Sequence, residues 1–225
     1  MESKTLKAYS QAAANYDAEP NSVLFTETAA VLALLDLRPG DRLLDAACGT
    51  GKYVLAGLEA GADCAGLDFS AEMLSLASAK CPGARFASHD LMAPPLPFSD
   101  GAFDKIVLAH ALWHVGGITE VFADFARLLA PGGRLVVSVT HPEASFKHFE
   151  YRAEDLPVRE EIDLSAERQR YSRAEIEAAA LAAGLRPAAA ETIMVDGRLR
   201  NILTAAAYER VLGTPLILAL RFDKS

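Results

Sequence analysis

From residue 42 onward the hydrophobic pattern switches repeatedly between two periods. Short apolar runs at 42–46, 62–67, 84–89, 104–109 and 134–139 read as strands, with helical patterns at 51–60, 70–80 and 117–130 between them. Ser70 stands as the cap of the second of these helices, and Pro131-Gly132-Gly133 stops the third. Ahead of the first strand, residues 3–14 and 22–36 look helical. The latter has Asn21 or Ser22 as a start signal, Val31, Leu32 and Leu35 for burial, and Pro39-Gly40 as its stop. Strands alternating with helices imply βαβ units, and hence a parallel, twisted sheet covered on both faces.

Past residue 140 that rhythm breaks. Residues 140–170 are polar and charge-rich with no clear period, which predicts an inserted lid or linker. Ser172-Arg173-Ala174-Glu175 is a capping box opening a helix that Gly184 closes. The run ETIMVDGRLRNILTAAAYE (191–209) reads as two strand-like segments split by Asp196-Gly197, a two-residue hairpin signal, so the last two strands are predicted to be antiparallel. The apolar stretch TPLILALRF (214–222) is expected on a sheet edge or against a second subunit, and is too short to span a bilayer. The expected architecture is α/β: a Rossmann-like doubly wound sheet of seven strands, mostly parallel, with an antiparallel C-terminal hairpin strand. A helical cap over residues 1–38 precedes the main domain, 39–225, which carries the lid insertion at about 140–171.

Composition narrows the partners. Across 225 residues the chain is 51% hydrophobic and 23% charged, ordinary for a globular protein with a sizeable core. The formal net charge of −8, with no Lys/Arg cluster, argues against duplex nucleic acid and against an anionic membrane surface. Cys48, Cys64 and Cys81 form no CxxC pair and read as free thiols of a reducing compartment. The N-terminal MESKTLKAYSQ lacks the apolar core of a secretory signal, so a cytoplasmic location is expected.

The candidate chemistry begins at LLDAACGTGKY (43–53), a strand running into a glycine-containing turn and a helix. Such a turn presents unpaired backbone N–H groups and the positive end of a helix dipole, which favours a polar or anionic ligand. A dinucleotide loop requires G-x-G-x-x-G, whereas Gly49 and Gly51 are followed here by Val54, and Ala47 stands where another glycine would be. Asp45 at the mouth of the loop would repel a pyrophosphate but attract an ammonium. S-adenosylmethionine, with its α-amino group, carboxylate and no phosphate, fits both features. Asp68, about twenty residues further on, falls where an acid grips ribose hydroxyls. Taken alone Asp68 reads as a helix N-cap; beside Asp45 and the glycines it reads as a ligand-binding acid.

These residues carry a resemblance. The chain resembles the class I S-adenosylmethionine-dependent methyltransferases, in the type 11 small-molecule group that includes quinone-biosynthesis enzymes. The matching pieces are LLDAACGTG (43–51), GLDFSAEML (66–74), HDLMAPPLPFSDGAFDKIV (89–107), His110 to Val115 and LLAPGGRLVVS (128–138). The resemblance implies that Asp45, Ala47, Cys48, Gly49 and Gly51 wrap the methionine part, with Thr50 starting the helix. It further implies that Asp68 holds the ribose, Phe69 and Met73 flank the adenine, and Asp90 with the N–H of Leu91 reads the adenine edge. His110 would lie near the transferable methyl. Ala47 departs from the frequent glycine of the pattern by one methyl, a small change on this reading. Tyr9 and Tyr16, in AYSQAAANYDAEP, either fold back over the cofactor or pack a helix with their hydroxyls at the surface.

Methyl transfer from a sulfonium asks the protein mainly to align donor and acceptor and exclude water. A base is needed only if the acceptor must lose a proton, and histidine suits that task. His110 and His141 are the candidate catalytic residues, with loop packing the alternative for His141; His114 reads as structural or as a pocket wall. The i, i+4 spacing of His110 and His114 occurs in some zinc sites, but no third ligand follows by spacing, so no metal is expected. Trp113, Phe146, Phe149 and Tyr171 line an acceptor pocket or bury the lid. Arg152, Arg159, Arg168 and Arg170 are interleaved with acids and read as a solvated face rather than an anion site. The partner expected is a small-molecule acceptor, with no nucleic acid and no membrane, in a monomer or homodimer. A non-catalytic cofactor-binding protein and an NAD-type oxidoreductase are the alternative functions.

Overall fold

In the computed structural model a seven-stranded sheet runs in the order β3-β2-β1-β4-β5-β7-β6. The structure describes residues 6–7, 9–10, 13, 16–17, 22–142, 169–200 and 205–225. The strands are β1 (Arg42–Ala46), β2 (Asp63–Asp68), β3 (Arg85–Ser88), β4 (Phe103–Ala109), β5 (Leu129–Thr140), β6 (Leu185–Met194) and β7 (Pro215–Lys224). The helices are α1 (Ser22–Leu35), α2 (Lys52–Glu59), α3 (Ala71–Lys80), α4 (Ile118–Leu128), α5 (Arg173–Ala182) and α6 (Ala205–Val211). β1 pairs in parallel with β2 on one side and β4 on the other, and β4 with β5. β7 is antiparallel to both β5 and β6.

Apolar residues line both faces of this sheet, which is why its strands read as apolar runs rather than as alternating patterns. On one face Leu44, Ile106, Leu108, Leu135, Val137, Leu218 and Leu220 pack with Phe122 and Phe125 of α4 and Ile176 of α5. On the other, Leu43, Val107, Val136, Ile217 and Ala219 pack with Val31 and Leu35 of α1 and Val54 of α2. Close packing sets one side-chain size: a Cβ on Gly57 would stand 2.6 Å from Cys64 Sγ and 2.7 Å from Leu43 Cδ2, so α2 approaches β1 and β2 only with glycine there. Ser70 accepts from the N–H of Met73 at 3.2 Å, and the Ser172–Glu175 capping box is complete. Both caps fall where the sequence puts them.

The C-terminal region departs from expectation in placement. The final two strands are antiparallel, but the second is 215–224 and not the run after Gly197. Asp196 instead caps a 3-10 turn, Gly197–Leu199, by accepting from the Arg198 N–H, and the alanine-rich 205–211 forms α6. Alanine's helix preference outweighs the local hairpin signal there. The apolar tail lies inside the sheet rather than on an edge or a second subunit, with Leu216, Ile217, Leu218, Ala219, Leu220 and Phe222 all buried. Most of the expected lid, residues 143–168, lies outside the described residues, together with Phe146, Phe149, Arg152, Arg159 and Arg168. Among the described residues no helix is long and apolar enough to cross a membrane.

Candidate active site

In an open α/β sheet, ligands settle at the carboxyl ends of the strands where the strand order reverses. Here that switch lies between β1 and β4. The loop leaving β1 is folded back on β2: the N–H groups of Ala47 and Cys48 both donate to Leu67 O, at 2.7 and 2.9 Å. Asp68 ends β2 and braces the same loop. Its Oδ2 accepts from the Gly49 N–H at 2.8 Å, and its Oδ1 from the Ser70 N–H at 2.9 Å. Burial pushes its carboxyl upward against the pull of these donors. Helix α2 starts at Lys52, with Gly51 at its cap, and the Thr50 hydroxyl donates to Asp17 Oδ1 at 2.7 Å instead of opening the helix.

Gly49 and Gly51 hold φ of +50° and +86°, and Ala47 holds +83°. The alanine is therefore more than an added methyl: a Cβ in the left-handed region costs about 1–2 kcal/mol. Replacing Ala47 with glycine is expected to stabilise the protein by about 1 kcal/mol and raise Tm by roughly 2–4 °C. Thermal melting of Ala47→Gly tests this, and an unchanged or lower Tm refutes the strain.

Beneath the loop is a buried group of charges. Asp45 takes one hydrogen bond from the backbone N–H of Tyr53, while its Oδ2 is buried with no hydrogen-bond partner among the described residues. Burial, reinforced by the charges of Asp68 and Glu27 and opposed by Lys52, pushes its carboxyl up to about 7. Glu27, on α1, is fully buried; its Oε1 accepts from the Tyr53 hydroxyl at 3.1 Å and from Lys52 Nζ at 3.4 Å. Its Oε2 stands 3.3 Å from Nε2 of His110, at the end of β4. Burial pulls the His110 imidazole below its ordinary range, with Glu27 pulling the other way.

Two tyrosines ahead of α1, Tyr9 and Tyr16, pack at this crevice. Tyr9 packs edge-on against Phe69 at 6.3 Å and against His114 at 5.5 Å, and its hydroxyl lies 3.1 Å from His114 Nε2. Tyr16 packs on Tyr9, and burial together with the nearby Tyr9, Asp68 and Glu27 drives its phenol well above the ordinary range. Met73 is buried on the first turn of α3. Asp90 and Leu91 follow β3 in an adjoining loop, where Asp90 Oδ1 accepts from the Met92 N–H at 2.9 Å. His110 and His114 thus turn to different partners, Glu27 and Tyr9.

Beyond His110 opens a cavity of about 330 Å³. Its lining includes His110, Trp113, His141, Gln169 and Tyr171, a mixed aromatic and polar wall suited to a small molecule. The Gln169 N–H donates to Trp113 O at 2.7 Å and the Tyr171 hydroxyl to Val115 O at 2.6 Å, clasping the start of α5 to the turn after β4. Both candidate histidines, His110 and His141, border this one space.

Residues 44–137, which hold the loop, Asp68 and His110, match the family model described as a methyltransferase domain. The chain is similar to the demethylmenaquinone methyltransferase of Beutenbergia cavernae, 37% identical over 120 residues, covering 52% of this chain and 49% of that protein. The chain spans about half the length of the curated relatives it matches. An S-adenosylmethionine-dependent methyltransferase from Mesorhizobium loti shares its fold, with a TM-score of 0.70 at 23% identity over 88% of this chain and 98% of that one. So does the geranyl diphosphate C-methyltransferase of Streptomyces coelicolor, solved with S-adenosyl-L-homocysteine, at a TM-score of 0.66 and 20% identity over 88% of this chain and 81% of that one.

Two residues of this candidate site escape sequence reading, Glu27 and Lys52. Glu27 did leave a signal, being the single charged side chain in the helix SVLFTETAAVLALL. A lone acid on an otherwise apolar helix must find a buried partner.

Proposed function

We propose that this chain is an S-adenosylmethionine-dependent methyltransferase acting on a small molecule. The observation that carries the proposal is the orphaned Oδ2 of Asp45, buried beside the glycine loop, with a cavity bordered by His110 at the end of the neighbouring strand β4. Asp45, Asp68 and Glu27 form an acidic floor that favours a cationic group and disfavours a pyrophosphate, which sets the dinucleotide reading aside. The loop Asp45, Ala47, Cys48, Gly49 and Gly51 would wrap the methionine part, and Asp68 the ribose hydroxyls. Phe69 and Met73 would flank the adenine, and Asp90 with the Leu91 N–H would meet its edge. Tyr16 would cover the bound molecule, with Tyr9 beside it. When bound, S-adenosylmethionine supplies an electrophilic methyl on a sulfonium, and transfer is an in-line displacement.

The acceptor would occupy the cavity between His110 and His141, with Trp113 and Tyr171 against it. A quinol is the acceptor class that the curated relatives' names support, and its acidic proton would give a histidine base a task. Cytoplasmic placement, supported by three buried free cysteines, belongs to the same proposal. The test is calorimetric titration with S-adenosylmethionine and its demethylated product, followed by labelled-methyl transfer into a panel of hydroquinones and phenols. Micromolar binding with label entering an acceptor is expected. Absence of binding by folded protein refutes the proposal, and binding without transfer to any acceptor refutes the catalytic part of it.

A further inference from the structure

Two buried polar atoms face each other in the floor of the site. Nε2 of His110 and Oε2 of Glu27 lie 3.3 Å apart, both buried, and neither makes a hydrogen bond among the described residues. A buried imidazole nitrogen and a buried carboxylate oxygen left this way each cost on the order of 1–3 kcal/mol, unless a proton lies between them. One proton on Nε2 relieves both. It also settles the tautomer: with Nε2 protonated, Nδ1 is the free lone pair of a ring that lines the acceptor cavity.

The surroundings hold this pair in place. The backbone at His110 adopts φ +51°, uncommon for a residue other than glycine, and its N–H donates to Ser138 O at 3.0 Å. Oε1 of Glu27 is anchored by the Tyr53 hydroxyl and Lys52 Nζ, which leaves Oε2 for the imidazole. The other groups facing the pair are Asp45 from β1, Tyr16 from the N-terminal segment and the Trp113 ring, 5.9 Å from the imidazole.

We propose that Glu27 is a positioning residue that fixes His110 as the Nε2–H tautomer, making its Nδ1 the proton acceptor for the group to be methylated. This rests on the methyltransferase reading for its purpose, though not for its geometry. In the step, the acceptor's proton passes to Nδ1 while its electron pair forms the bond to the methyl carbon. The carbon–sulfur pair stays on sulfur, which leaves as a neutral thioether. The imidazolium so formed lies against the Glu27 carboxylate, which stabilises it as it appears, much as a buried acid serves the histidine of a hydrolase triad.

Nitrogen-15 NMR of the wild-type chain, with His110 assigned through its own backbone, tests the geometry without cofactor or acceptor. The expected spectrum is neutral His110 with the proton on Nε2. A proton on Nδ1 overturns the proposal, and this reading needs no variant to fold. In Glu27→Gln the carboxylate is gone while an amide of the same shape remains. The His110 titration is then expected to move down by about one pH unit or more, since an opposite charge at this range raises a histidine by that amount. The acid limb of the pH–rate profile should move with it, with kcat falling about 10- to 1000-fold and the KM for S-adenosylmethionine little changed. An unmoved titration in folded Glu27→Gln also overturns the proposal. If S-adenosylmethionine does not bind at all, the methyltransferase reading falls, and the NMR result still stands or falls alone.

Discussion

Asp68→Ala is expected to lower the affinity for S-adenosylmethionine by about 100-fold, close to 2.7 kcal/mol. Two losses add. The carboxylate that would accept from the ribose hydroxyls disappears, and so does the brace that joins the Gly49 N–H to the Ser70 N–H. The second loss is independent of ligand. It leaves a backbone donor of the loop without its acceptor, so the free protein should also melt roughly 5 °C lower. Asp68→Asn separates the two, since the amide oxygen can keep one of the N–H contacts while the charge is gone. Calorimetry and melting on both variants give the comparison. Unchanged affinity in folded Asp68→Ala would remove Asp68 from the binding site.

The second large effect is on pH. In the free protein the Asp45 carboxyl titrates near 7, because burial and the neighbouring acids disfavour its charge. A bound ammonium beside it favours the ionised form, so its pKa falls on binding. The sign follows: above about pH 7 the group is already ionised and binding is insensitive to pH. As the pH drops through 7, binding must expel a proton, and affinity falls by up to tenfold per unit until the bound-state pKa is reached. Calorimetry at pH 6 in buffers of different ionisation enthalpy should show close to one proton released, and at pH 8 almost none. In Asp45→Asn the release disappears and the affinity at pH 8 drops. Proton uptake, or no linkage at all, would mean that Asp45 does not meet the ammonium. The same raised pKa acts on stability in the free chain: the protonated form favours folding, so this contribution is full below about pH 4 and is lost as the pH rises through 7.

Much of the candidate site's layout was legible in the sequence because its parts lie close together along the chain. The turn after β1, the acid ending β2 and the histidine ending β4 each sit at the end of an apolar run, and parallel strands bring such ends to one edge. Glu27 was hidden for the opposite reason. It belongs to a helix outside that repeat, and only the folded chain shows that it reaches His110, Lys52 and Tyr53. Ala47 was misjudged because a sequence shows the size of a side chain and hides the sign of φ. The tail failed on a contest of local signals, in which Asp196-Gly197 outbid an alanine-rich helix and an apolar strand still to come.

That late strand has a consequence for how the molecule is made. β6 is joined to the sheet only through β7, and β7 also covers the free edge of β5. A ribosome that has delivered residues up to 200 has therefore released all five parallel strands, yet β5 still presents an uncovered row of peptide groups. Until residues 215–224 emerge, that row is open to pairing with a neighbouring nascent chain. The Lys224 ammonium, which donates to Ala126 O and Leu129 O, fastens the end of α4 to the completed sheet. The half of the chain that would hold the cofactor is thus spelled out before residue 141, and the strand that shields its open edge follows only some seventy-five residues later, at 215–224.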